Sequence, residues 1–271
     1  MNNFFKRLLT TLCLLPLAVF TIFLDSIYFE IVIYILVSIA IVEWYGLTKY
    51  SSSIARYCSL FAVLIILVIS IHFLYLDMFS TWHGALYYAW LLLWCYFILA
   101  TLMYPKSHKL VSNQMLILCS GLFIIICFAV SIISVQNYSS LLLVYVLSLI
   151  WSMDIGAYIF GRKYGKNKIL PAVSPGKSYE GLLGGSLCLL AVSVLYWYLL
   201  PDRLLSLEFA VYCYVVSVFS VLGDLFESML KRMQGIKDSG TILAGHGGVL
   251  DRLDSLLLTM PLFALGIQLF N

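Results

Sequence analysis

The chain reads as an all-α, polytopic integral membrane protein with about nine transmembrane helices. Three observations predict this class. Hydrophobic residues make up 63% of the 271 positions and charged residues only 11%, where soluble domains run at about half and a quarter. The apolar residues gather into stretches long enough to cross a bilayer. Lysine and arginine collect in alternate connections between those stretches, as they do where one face of the membrane is cytoplasmic.

The stretches lie at residues 8–24, 28–47, 58–76, 84–103, 115–135, 139–160, 182–200, 207–229 and 249–270. A hydrocarbon core of about 30 Å takes roughly 20 residues of helix, so nine crossings use about 180 residues and leave no room for a soluble domain. Each stretch must be helical, because unpaired backbone groups cannot be left in lipid. The first follows Lys6 and Arg7 and resembles a signal peptide. It is long, however, and no small-residue cleavage site follows before Asp25, so a retained helix is expected. Aromatic residues near stretch ends, Trp44 with Tyr45 and Tyr196 with Trp197 and Tyr198, are expected in interfacial belts.

With the N-terminus inside, every Lys and Arg except Arg203 falls on the inside face, and the C-terminus lies outside. The expected organisation is one membrane domain over 1–271. Residues 1–135 form a mainly apolar helical scaffold, and 136–271 carry the catalytic helices and cytoplasmic loops. The seven cysteines form no CxxC pair and lie mostly in apolar runs, which reads as small buried hydrophobes rather than a disulfide framework or zinc site.

The chemistry concentrates in the last two inside loops. Asp224, Glu227, Ser228 and Lys231 recur at i, i+3, i+4 and i+7, so they form one polar stripe at the end of the eighth stretch. Carboxylates at membrane depth face a partner or an aqueous cavity. A structural ion pair would also account for the stripe, with Asp224 satisfying Ser228 or Lys231. Lys237-Asp238 follows, then Gly245-His246-Gly247-Gly248, then Asp251, Arg252 and Asp254. Glycines before a helix allow backbone amides to approach an anion. Asp251 can face Asp224 across two helices, and a cation between them would relieve their repulsion; oxygen ligands with phosphate partners point to Mg²⁺. Lys231, Arg232, Lys237 and Arg252 could hold phosphate oxygens. His246 could contact substrate or hinge the loop. In the other inside loop, Asp154 and Tyr158 share a helix face, and Ser174, Lys177 and Glu180 precede or open the seventh helix. The lysines there could simply bind anionic headgroups.

Ser228-x-x-Lys231-Arg232, Lys237-Asp238-x-Gly240 and His246-Gly-Gly-x-x-Asp251-Arg252-x-Asp254 together resemble the signature of the phosphatidate cytidylyltransferases, also called CDP-diacylglycerol synthases. Asp154-x-Gly-Ala-Tyr158 and Ser174-Pro-x-Lys-x-x-Glu-Gly181 resemble the same family. Three departures stand out: Ala244 where proline is usual, Gly176 where lysine is common, and Ser178-Tyr179 in place of Thr-Trp.

The resemblance implies transfer of CMP from CTP to phosphatidate, giving CDP-diacylglycerol and pyrophosphate. It implies Asp224, Lys237, Asp238, His246, Asp251, Arg252 and Asp254 as the catalytic set. Asp154, Ser174, Lys177, Glu180, Ser228, Lys231, Arg232, Gly247 and Gly248 would bind substrate. Asp224 and Asp251 would hold Mg²⁺, with room for a second cation. The expected setting is a bacterial inner membrane with the site facing the cytoplasm, no nucleic-acid partner, and a second copy of the chain as a homodimer partner. A CTP-dependent lipid kinase and a transporter are the competing readings. Transporters often show inverted repeats and interrupted helices at matching places in both halves, whereas here the polar site groups are expected in the second half and on the inside face.

Overall fold

A computed structural model describes residues 16–48, 80–200, 206–242 and 247–270. Those residues are helical almost throughout and contain no β-strand; an antiparallel bridge joins Lys168 and Ser178. Residues 16–22 form a helical turn, and seven longer helices follow. They are α1 (Ser26–Gly46), α2 (Ser80–Leu102), α3 (Gln114–Tyr138), α4 (Ser140–Tyr164), α5 (Tyr179–Leu199), α6 (Leu207–Met233) and α7 (Leu250–Phe270). Among the described residues, six are long and apolar enough to cross a membrane: α1 and α3 to α7. In α2 the apolar part is the shorter segment Tyr87–Leu102. The expected span at 58–76, residues 8–15 of the first one and Arg203 lie outside the described residues.

Each of the seven longer helices sits on an expected apolar stretch, and two run past its end into basic residues. α4 continues through Arg162 and Lys163 to Tyr164, and α6 continues through Lys231 and Arg232 to Met233. The apolar stretch marks the hydrocarbon, while the backbone ladder continues until a cap stops it. At α6 the stop is a Schellman turn: Ile236 N–H donates to Lys231 O, Gly235 N–H donates to Arg232 O, and Gly235 has φ +70°. Helix starts follow the same logic. Asn113, Ser139, Ser178 and Ser206 each accept backbone N–H groups at the N-termini of α3, α4, α5 and α6. Ser139 alone separates α3 from α4, so these two helices reverse on a single residue.

Two packing seams position the polar residues. α4 lies against α5 through small residues: a Cβ on Gly185 would meet the Met153 carbonyl at 2.6 Å, and one on Gly181 would meet the Ala157 carbonyl at 2.8 Å. Backbones approach this closely in membranes where Gly and Ala recur four apart, as Gly181 with Gly185 and Ala157 with Gly161 do. α6 lies against α7, and a Cβ on Gly223 would strike the Asp254 carbonyl. α3 supports α7 from behind, and α1 packs on α3.

Phe226 is the hub of an aromatic core. Its ring lies 4.5 Å from Phe97, 5.2 Å from Trp94 and 6.1 Å from Trp44. The expectation that Trp44 belongs to an interfacial belt is therefore corrected. Trp44 is fully buried, and its indole N–H donates to Ile117 O at 2.9 Å. A ring that finds both packing and an acceptor inside the bundle has no need of the headgroup layer. Trp197 and Tyr198, in contrast, are exposed at the end of α5.

Candidate active site

The C-terminal ends of α1, α4 and α6 meet the N-terminal ends of α5 and α7 at one end of the bundle. Asp154 and Asp224 each lie about 15 Å short of the end of their helix, at about 1.5 Å per residue, so the polar groups reach down between the helices. Asp154 is solvent-accessible, and its electrostatic neighbours are Asp224, Lys177 and Arg252. Asp254 lies in the field of Asp224, Glu227, Asp154 and Lys177. Five of the expected site residues thus share one cleft: Asp154, Lys177, Asp224, Arg252 and Asp254.

Lys177 joins the loop before α5 to α6. Its Nζ lies 2.6 Å from Asp224 Oδ2 and donates to Val221 O at 3.3 Å. Ser228 Oγ donates to Asp224 Oδ1 at 3.2 Å. The loop that carries Lys177 is shaped by Glu180, whose carboxylate accepts from Lys166 N, Asn167 N and Asn167 Nδ2. Ile169 N donates to Lys177 O and Tyr179 N to Asn167 O, which closes the loop as a clip. Arg232 Nε donates to Val173 O at 3.2 Å, so the turn containing Ser174 rests on the end of α6.

Lys231 lies in an adjoining, buried network, linked to the first through Glu227 and Asp254. Its Nζ stands 2.9 Å from Glu227 Oε2 and 2.7 Å from Asp251 Oδ1. Asp251 also accepts from Ser239 N and Gly248 N. The glycines here are spatial necessities. A Cβ on Gly247, at φ +85°, would strike Asp251, and one on Gly248 would strike Glu43 and Ser239. Lys237 and Asp238 are exposed on the loop between α6 and α7. His246 and Ala244 lie outside the described residues.

Three expected site groups already have partners within the protein. Two carboxylates take the charge of Lys231 in a buried position. Glu180 clamps its own loop. At the turn of Gly247 and Gly248 the Gly248 amide goes to Asp251, while those of Val249 and Leu250 go to Glu43. Glu43, in the half assigned to scaffold, is the residue that the sequence reading missed. Its only signal was a carboxylate next to Trp44 in an otherwise apolar stretch.

The donor chemistry fits a hard cation. Asp154, Asp224 and Asp254 lie in one another's field, and oxygen ligands suit Mg²⁺. Among the described residues no three His, Cys, Asp or Glu side chains converge closely enough to hold a metal by themselves, so phosphate oxygens and water would have to complete the shell. Asp224 is partly accessible. Asp251, already engaged by Lys231 and two amides, could ligate a cation only as one of these gives way.

Comparison with known proteins bears on the same residues. The cytidylyltransferase family model matches residues 5–270. The chain is 36% identical to a phosphatidate cytidylyltransferase of Pseudomonas aeruginosa over 263 residues, 96% of this chain and 95% of that one. It is 40% identical over 185 residues to the phosphatidate cytidylyltransferase of Haemophilus influenzae, covering 63% and 64% of the two chains. A Staphylococcus haemolyticus protein of the same name is 44% identical over 120 residues, 44% of this chain and 46% of its own.

Proposed function

Because the chain belongs to the cytidylyltransferase family, we propose that it transfers CMP from CTP to phosphatidate, releasing pyrophosphate and forming CDP-diacylglycerol. The observation that carries this reading is the near full-length likeness to a phosphatidate cytidylyltransferase. The cleft supports it: Lys177, Asp224, Asp154, Asp254 and Arg252 gather at one end of a membrane bundle. A lipid kinase or transporter finds no support among these relatives.

A phosphate oxygen of phosphatidate attacks the α-phosphorus of CTP, and the bond from that phosphorus to the pyrophosphate oxygen breaks. The attacking oxygen is already anionic near neutral pH, so no strong base is required. Catalysis then rests on alignment and on neutralising phosphate charge. Lys177 and Arg252 supply positive charge inside the cleft. Lys237 supplies it from the exposed loop, next to Asp238. Asp224 and Asp251 would hold Mg²⁺, Ser228 orients Asp224, and Asp254 and Asp154 complete the acidic wall. Mg²⁺ there would offset the charge on the leaving pyrophosphate. The setting is the inner membrane, with the site on the cytoplasmic side, where CTP is found and where the Lys and Arg residues fall.

The test is purified full-length protein with phosphatidate, CTP and Mg²⁺, following pyrophosphate and CDP-diacylglycerol together. Both should appear in equal amounts. Asp224→Asn and Asp251→Asn should each lower turnover by about a hundredfold or more while the protein still inserts. Near-normal turnover in either variant would remove that residue from the metal pair, and failure of the wild type to form CDP-diacylglycerol would sink the reading.

A further inference from the structure

Glu43 sits near the end of α1, far in sequence from every residue of the signature. It is 5% exposed, and no Lys or Arg forms an ion pair with it among the described contacts. Its carboxylate meets the N-terminus of α7 instead. Val249 N donates to Oε1 at 3.0 Å, and Leu250 N to Oε2 at 2.8 Å. Two orphan amides and the positive end of a helix dipole are what a buried anion requires. Ser239 Oγ donates to Oε2 at 3.1 Å, and Gly240 and Gly248 press so closely on the carboxylate that neither could carry a Cβ.

Asp251 grips the same loop. It accepts from Ser239 N on the outgoing arm and Gly248 N on the returning arm. Glu43 accepts from Ser239 Oγ on the first arm and from Val249 and Leu250 on the second. Two carboxylates, from α1 and α7, therefore clamp both arms of the segment that presents Lys237 and Asp238.

We propose that Glu43 is a positioning residue of the active site: it latches the arm that carries Ser239 to the N-terminus of α7 and so sets the geometry with which Lys237, Asp238 and Asp251 meet the nucleotide. The latch itself is a matter of structure. Its effect on CTP rests on the function proposed above, and the two parts are read separately.

Full-length wild type, Glu43→Gln, Glu43→Asp and Ser239→Ala are compared in detergent. Backbone hydrogen exchange over residues 237–250 tests the latch without substrate. Glu43→Gln turns one acceptor into a donor facing other donors, so exchange there should quicken about tenfold or more. In turnover, its KM for CTP should rise about tenfold while KM for phosphatidate stays within about twofold. Glu43→Asp keeps both oxygens and should recover part of the loss. If Glu43→Gln fails to accumulate, Ser239→Ala carries the test with smaller changes in the same directions. Unchanged exchange in the loop overturns the latch. Quicker exchange with both KM values unchanged overturns the positioning role. A wild type that makes no CDP-diacylglycerol defeats the proposed function and the role toward CTP, while the exchange result still decides the latch.

Discussion

Lys177 and Lys231 are both lysines beside aspartates, and their surroundings give them opposite uses. Lys231 is sealed between Glu227 and Asp251, with 9% of its side chain exposed. Lys177 and Asp224 retain 21% and 33%. Removing one partner of a buried network strands the others without water, which costs about 3–5 kcal/mol, whereas an accessible pair is worth about 1 kcal/mol or less. Lys231→Met should therefore lower the thermal midpoint sharply in detergent. Lys177→Met should leave the midpoint nearly unchanged but reduce kcat/KM by about a hundredfold. Paired unfolding and turnover measurements on the two variants check both statements, and a Lys177→Met enzyme with normal turnover would place that lysine outside the machinery. The sequence put Lys231 on one stripe with Glu227 but offered Asp224 as its partner; the structure gives it Glu227 and Asp251. The choice of Asp251 was not legible, because it depends on how α6 and α7 are set side by side.

The α4–α5 seam does at the level of elements what Lys177 does at the level of a residue. Gly181 and Gly185 let two backbones meet, and that approach brings the loop between the helices down to α6. Gly185→Leu would drive a side chain into the Met153 carbonyl and Ala157. Overpacking of this kind costs about 1–3 kcal/mol, and displacement of Lys177 should add a loss of turnover greater than the loss of folded protein. Gly185→Ala should show a milder form of both. Equal turnover per folded molecule in Gly185→Leu would separate the seam from the site. The Gly184-Gly185 pair has a purpose that the sequence does not state. Only the neighbouring helix shows it, since a packing partner is not encoded in the spacing of the residues it touches.

Across the whole molecule, the first half supports the second: besides α3 behind α7, two contacts stand out. Trp44, Trp94 and Phe97 close around Phe226, which holds α6 in place, and Glu43 holds the start of α7. The polar ends of α4 to α7 lie together because consecutive helices alternate in direction. If that end faces the cytoplasm, a single cysteine placed at Lys166 in a cysteine-free chain should react with an impermeant thiol reagent only in inverted vesicles. A cysteine at Arg203 should react only in right-side-out vesicles. The reverse pattern would invert the topology.

Composition by itself determined the class: a helical membrane bundle. Hydrocarbon leaves few alternatives to the helix. Motif spacing also pointed to the family, because acidic, basic and glycine positions at fixed intervals resemble its signature. Tertiary structure decided which carboxylate meets which cation. Asp224 took Lys177, Asp251 took Lys231, and the helix N-terminus expected to receive a phosphate received Glu43. Such pairings depend on distances of a few ångströms between helices remote in sequence. Those distances are set by small-residue seams and an aromatic core that periodicity alone does not reveal.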